Sequence, residues 1–141
     1  MSRQKSRYEK LQDNVRGLKA PNIEVWQSKY PDKEYIIKFE IPEFTCLCPK
    51  TGLPDFATIR IEYSPAKCCI ELKSFKMYIL FYRNLGIFHE HVVNKMLEDL
   101  VKACRPRWLK ISGDFNARGG IKTTVVAEYQ MKPRITERKL S

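Results

Sequence analysis

Hydrophobic and polar positions alternate along four stretches of the chain and fall on a helical period in two others. Residues 34–41 set Tyr35, Ile37, Phe39 and Ile41 against Ile36, Lys38 and Glu40, and residues 57–63 set Ala57, Ile59, Ile61 and Tyr63 against Thr58, Arg60 and Glu62. Each pattern predicts a strand with one buried face. Pro42 ends the first and Ser64-Pro65 the second, and the connection between them carries Pro49, Gly52 and Pro54. A hairpin with a long, stiff connection is predicted, with Cys48 near one end of it and Asp55 near the other. After a short apolar run at 68–72, residues 73–84 repeat Phe75, Tyr78, Ile79 and Tyr82 at spacings of three and four, which predicts a helix. Residues 89–103 carry a continuous apolar stripe from Val92 to Cys104, closed by Pro106. Alternation returns at 109–115 and, after Gly119-Gly120, at 121–129. The order strand, strand, helix, helix, strand, strand predicts an α+β fold, a four-stranded antiparallel sheet with two helices on one face.

The 141 residues are of single-domain size, and the hydrophobic share of 43% suits an ordered core. Three parts are expected: an irregular or partly helical basic arm at 1–30, a domain at 31–132 and a basic tail at 133–141. No apolar run is long enough for a membrane span, and residues 1–10 are charged, without a secretory signal, so a cytoplasmic location is expected. Five scattered cysteines do not form a disulfide framework and are expected to be reduced. Of the net charge of +10, residues 1–20 contribute +4 (six basic, two acidic) and residues 132–141 contribute +3 (four basic, one acidic). Basic ends suit RNA contact, but solvated tails without such a partner are commoner, so nucleic acid is not expected as a partner.

Candidate chemistry centres on Cys48. A thiol is a nucleophile only as thiolate and needs positive charge or a base nearby. Lys50 lies two residues away and Asp55, a candidate proton donor, seven. A lone loop cysteine is nevertheless more often incidental than catalytic. The Cys46 and Cys48 pair, with one residue between them, does not fit structural zinc spacing, and His89 and His91 project in different directions from a helix, so no metal is expected. The chain lacks both glycine-rich phosphate loops, which leaves lysines for any nucleotide. Lys73 and Lys76 lie three apart on one side of the first helix, a spacing that suits two phosphate contacts or a solvated edge.

Several segments together resemble one family, the single-domain NADPH-dependent 7-cyano-7-deazaguanine reductases of queuosine biosynthesis, a tRNA modification pathway. They are Pro42-Glu43-Phe44-Thr45, Leu47-Cys48-Pro49-Lys50-Thr51-Gly52, Pro54-Asp55-Phe56-Ala57-Thr58-Ile59, Glu71-Leu72-Lys73-Ser74-Phe75-Lys76, Arg83-Asn84, Phe88-His89-Glu90 and Arg118-Gly119-Gly120. The resemblance spans roughly residues 34–132 and implies the tunnelling fold, with subunits joined edge to edge in a homo-oligomeric ring and active sites between them. It implies further that Cys48 adds to the nitrile as a covalent thioimide, that Asp55 gives the proton, and that two hydride transfers from NADPH complete the amine. Ile70, Glu71, Leu72, His89 and Glu90 would then contact the deazaguanine, and Lys73, Lys76 and Arg118 the cofactor. Two alternatives remain: an amidine-forming enzyme acting on the nitrile base in tRNA, and a basic RNA-binding module with a structural cysteine. The first keeps the cysteine without hydride; the second accounts for the charge alone.

Overall fold

A computed structural model describes residues 17–132; the predicted basic tail and most of the predicted arm lie outside the described residues. The strands are β1 (Val25–Gln27), β2 (Ile37–Leu47), β3 (Pro54–Ser64), β4 (Cys68–Ile70), β5 (Trp108–Arg118) and β6 (Ile121–Gln130), and the helices are α1 (Leu72–Phe81) and α2 (His89–Cys104). A turn of 3₁₀ helix, Tyr82–Asn84, extends α1 to the predicted end. The main sheet is antiparallel in the order β2-β3-β5-β6, and β1 pairs with β4 as a separate ribbon. That ribbon corrects the irregular or partly helical reading of the arm at Val25–Gln27, where Val25, Trp26 and Gln27 pair with Ile70, Cys69 and Cys68.

The alternating residues bury one face of the sheet. Ile59, Ile61, Leu109, Ile111 and Phe115 meet the stripe of α2, from Val92 and Val93 to Met96 and Leu100, in one core. Phe75 of α1 stacks on Phe39 of β2 with ring centroids 5.3 Å apart. The opposite face is charged and laced with ion pairs such as Arg60–Glu40 at 3.1 Å and Lys122–Asp114 at 3.2 Å. One charged residue lies inside: Lys95 is only 6% exposed, and its ammonium reaches Asp99 at 3.1 Å and the Leu18 carbonyl at 3.2 Å. Those two partners offset the cost of burying the charge.

Two β-bulges decide which side chains face the helices. In β2, the pairs Ile41↔Ile59 and Phe44↔Ala57 leave Pro42 and Glu43 opposite Thr58 alone. The extra residue resets the alternation, so odd-numbered residues face inward before the bulge and Phe44 and Cys46 after it. Pro42 therefore does not end the strand as predicted. β2 is an edge strand, where a missing N–H is tolerated. A second bulge lies in β5, where Phe115↔Thr123 and Arg118↔Ile121 leave two residues opposite Lys122. Arg118 thereby comes to the side that Phe115 occupies.

Helix and sheet approach closely at Gly113. A Cβ built there would lie 2.8 Å from both the Phe115 ring and the Val93 side chain. Gly113→Ala is expected to lower stability by about 1–3 kcal/mol through overpacking, read as a lower midpoint of urea unfolding at unchanged slope. An unaltered midpoint would mean that α2 yields freely at this point.

Candidate active site

The loop between β2 and β3 is shorter than predicted, six residues at 48–53, because β2 runs to Leu47 and β3 begins at Pro54. Asp55 accordingly lies within a strand, opposite Cys46, and not in the loop. The turn is closed by Cys48 N–H to the Leu53 carbonyl at 2.8 Å and Gly52 N–H to the Cys48 carbonyl at 2.9 Å. Gly52 has φ +71°, a backbone conformation that favours glycine. Cys46 pairs with Asp55 at the end of the hairpin, and Cys48 opens the turn that follows.

Asp55 is 4% exposed, and both carboxylate oxygens are occupied. One accepts from the Arg118 guanidinium at 2.5 Å, and the other lies 3.0 Å from His89 Nε2. The imidazole lies flat on Phe115, with centroids 3.8 Å apart and planes 9° from parallel. Its ring plane is thus fixed by the core while its nitrogen is fixed by Asp55. His89 opens α2, and the neighbouring strand supplies the segment that places it: Leu47 N–H donates to the Leu85 carbonyl and Ile87 N–H to the Leu47 carbonyl.

Cys48 is half-buried and its thiol is held down to about 7, below the usual thiol value. The Thr51 hydroxyl has the largest effect, and the Thr51 and Lys50 N–H groups and Arg118 add to it against the opposing effect of partial burial. Arg118 in turn is held in its charged form first by Cys48 and then by Asp55. Burial pushes neighbouring Cys46 the other way, up to about 12. Two cysteines two residues apart therefore differ sharply: burial disfavours the thiolate of Cys46, while the surroundings of Cys48 favour it.

The fold groups Cys48, Asp55, His89 and Arg118, sets Glu90 next to His89 on α2, and leaves Ile70, Glu71, Leu72, Lys73 and Lys76 on β4 and on α1 with its cap. Ile70 is buried, and Glu71 caps α1, its carboxylate accepting from Ser74 N–H and Lys73 N–H at 2.7 Å each. These bonds, Ser74 first, lower its carboxyl pKa. Leu72, Lys73 and Lys76 are exposed on α1, and Lys76 borders a cleft of about 370 Å³ with Leu72, Phe39 and Ile41. Glu90 is exposed on the first turn of α2. Sequence reading missed Thr51 and Phe115 as partners of the site. Thr51 stood within the motif carrying Cys48, but its effect on the thiol depends on the turn, where its hydroxyl oxygen accepts from Leu53 N–H at 3.2 Å. Among the described residues no cluster of three or more potential ligands could hold a metal ion, and no helix is long and apolar enough to cross a membrane. All five cysteines are free.

The α+β fold thus carries an acidified thiol and a buried carboxylate–imidazole pair that share Arg118. The chain belongs to the family described as QueF-like protein, whose model matches residues 54–134. Among its relatives, the NADPH-dependent 7-cyano-7-deazaguanine reductase of Nitrosococcus oceani is 54% identical over 108 residues, which cover 77% of this chain and 84% of the relative. The reductase of the same name from Chloroherpeton thalassium is 53% identical, covering 80% and 97%. A solved structure, the archaeosine synthase QueF-Like in the apo form, shares the fold with a TM-score of 0.63 at 24% identity, over 70% of this chain and 96% of that one.

Proposed function

We propose that this protein is an NADPH-dependent nitrile reductase that converts 7-cyano-7-deazaguanine to 7-aminomethyl-7-deazaguanine in queuosine biosynthesis in the cytoplasm. The observation that carries the reading is the Cys48 thiol, held near neutrality by Thr51 and Arg118 beside the Asp55–His89 pair. Relatives named for this reaction, at 54% and 53% identity over most of the chain, support it.

In the proposed reaction the Cys48 thiolate adds to the nitrile carbon while the nitrile nitrogen takes a proton from the Asp55–His89 pair, giving a thioimide. NADPH, when bound, supplies hydride to that carbon. Cleavage of the C–S bond then returns the thiolate and leaves an imine, and a second hydride and proton give the primary amine. The sum is one nitrile, two NADPH and two protons to one amine and two NADP⁺. Lys73 and Lys76 are exposed and one turn apart on α1, Lys76 at the edge of the 370 Å³ cleft, and fit the phosphates of NADPH. Glu90, exposed beside His89, fits the N–H groups of a guanine-like edge, with Ile70, Glu71 and Leu72 as further contacts.

The same reading extends to assembly in a tunnelling fold. β2 and β6 are long edge strands of the main sheet, with 11 and 10 residues, and copies pairing along them would satisfy those edges and close a ring. Sites between subunits would then bring Glu90 and the lysines of one chain to the cysteine of another. The test is turnover of 7-cyano-7-deazaguanine: two NADPH are expected to be consumed per amine formed, and a nitrile adduct on Cys48 is expected when NADPH is omitted. A folded protein that forms neither adduct nor amine would refute the reading. An adduct never reduced by NADPH would point to the amidine-forming alternative.

A further inference from the structure

His89 is held at two points of different kinds. Its Nε2 lies 3.0 Å from the Asp55 carboxylate, and its ring lies on Phe115 with centroids 3.8 Å apart and planes 9° from parallel. A hydrogen bond at one nitrogen fixes a point but leaves the ring free to turn, because the χ2 torsion of histidine has broad minima. A flat contact fixes the plane. The sequence builds a seat for that contact. Asp55 and Ala57 of β3 and Gly113 and Phe115 of β5 all lie on the buried face of the sheet, with Ala57 directly opposite Phe115. Neither Ala57 nor Gly113 carries a long side chain, and a Cβ at Gly113 would stand 2.8 Å from Phe115 Cε2, so the phenyl ring leans over the glycine. A ring in that position turns its face toward α2. Val93, one turn beyond His89, packs over Gly113 itself, with its Cγ2 2.8 Å from the same Cβ position. Two successive turns of the helix thus sit on two alternate residues of one strand, and the first helical residue takes the aromatic seat.

We infer that Phe115 is a positioning residue that acts through His89, and that Gly113 leaves the space in which its ring lies flat. The inference rests on the reductase reading, in which the Asp55–His89 pair gives the proton to the nitrile nitrogen. The N–H bond and the lone pair of an imidazole lie in the ring plane, so a ring that turns loses its alignment with Asp55 and with the reacting group together. A carboxylate facing Nε2 also favours the tautomer that carries the proton there, and that preference lasts only while the nitrogen stays aimed at it. Phe115 has no polar atom and is 1% exposed, so orientation of the imidazole is what it contributes.

Two measurements test this, and the first needs no substrate. The chain has two histidines, so isotope-labelled histidine gives two imidazole signals in nitrogen NMR, told apart in His91→Gln. At a pH of about 8, above the ordinary histidine range, His89 of the wild type is expected to show one tautomer, protonated on Nε2, with its carbon-bound ring protons displaced upfield by the phenyl face. Phe115→Leu, which keeps apolar bulk without a flat face, should lose the upfield displacement and show both tautomers, and Phe115→Tyr should keep both signatures. The second measurement is the rate of nitrile adduct formation on Cys48 without NADPH. Phe115→Leu should slow it about tenfold while the KM for NADPH in turnover changes less than about twofold, and Phe115→Tyr should restore the rate. Ile111→Ala is the control, since Ile111 is likewise buried on the same face of β5 and its truncation opens a cavity: the urea midpoint should fall and the adduct rate stay within about twofold of the wild type. Should Phe115→Leu fail to fold, Phe115→Met, which fills irregular space without a planar face, takes its place. Either a single Nε2 tautomer or a wild-type adduct rate in the leucine variant would overturn the inference, as would an Ile111→Ala protein slowed as much as Phe115→Leu. If the wild type forms no adduct at all, the reductase reading fails, and the His89 tautomer in Phe115→Leu still decides whether Phe115 sets the imidazole.

Discussion

Cys48→Ala is expected to eliminate the nitrile adduct and to reduce NADPH-dependent turnover by about 10⁴-fold or more, because removal of a covalent nucleophile leaves only binding and electrostatics to assist the reaction. Stability should barely change. Cys48 is half-buried at the end of a turn, and its backbone hydrogen bonds to Leu53 and Gly52 do not involve the side chain. Cys46→Ala makes the matching contrast. Cys46 is fully buried, so its loss should cost about 1–2 kcal/mol in unfolding while leaving adduct formation intact. The pH dependence follows from the acidified thiol. The thiolate is the reactive form, so adduct formation in the wild type should rise about tenfold per pH unit well below 7 and level off above it. Intact-mass spectra at several pH values check both statements. A Cys48→Ala protein that still reduces the nitrile at an appreciable fraction of the wild-type rate removes the covalent step.

Much of this fold was legible in the order of residues, and the losses have identifiable physical causes. The inward residues of β3, β5 and α2 follow their periods closely, since those elements occupy the middle of the sheet or its cover and face a single core. β2 was cut short at Pro42 because alternation was read with one fixed parity. A bulge changes that parity, and the proline that signals a break is harmless on an edge strand. β1 was invisible because three residues carry too little pattern, and its partner lies more than 40 residues away. Lys95 lies beside the α2 stripe, and its i+4 partner Asp99 and the distant Leu18 carbonyl account for its burial.

For the site, residue types were readable and their company was not. Cys48 and Asp55 were picked from a shared hairpin, and the pairing Cys46↔Asp55 does set Asp55 next to the turn that Cys48 opens. His89 joins them through a segment more than 30 residues further on, and Arg118 through a bulge more than 60 residues away. Neither contact leaves a local signature, since each depends on the register of strands that meet only in the folded sheet.

Asp55→Asn should separate the two halves of the chemistry. The amide keeps the shape of the carboxylate but cannot supply the proton to the nitrile nitrogen, so reduction is expected to fall by about 10²–10⁴-fold, the usual worth of a positioned acid. Thiol activation should survive. Thr51 and the turn N–H groups do not touch Asp55, and a guanidinium released from Asp55 remains free for the sulfur. Iodoacetamide should therefore alkylate Cys48 of the variant with a midpoint no higher than that of the wild type. Folding should weaken by about 1–3 kcal/mol, because Asp55 is buried with both oxygens bonded and an amide satisfies Arg118 and His89 less well. Denaturant titration, alkylation and NADPH oxidation on one preparation distinguish these effects. A variant that alkylates normally and fails to form the thioimide assigns Asp55 to protonation. One that reduces the nitrile at the wild-type rate excludes it from the chemistry, and one whose thiol midpoint climbs toward the ordinary range makes Asp55 part of the machinery that holds Arg118 against the sulfur.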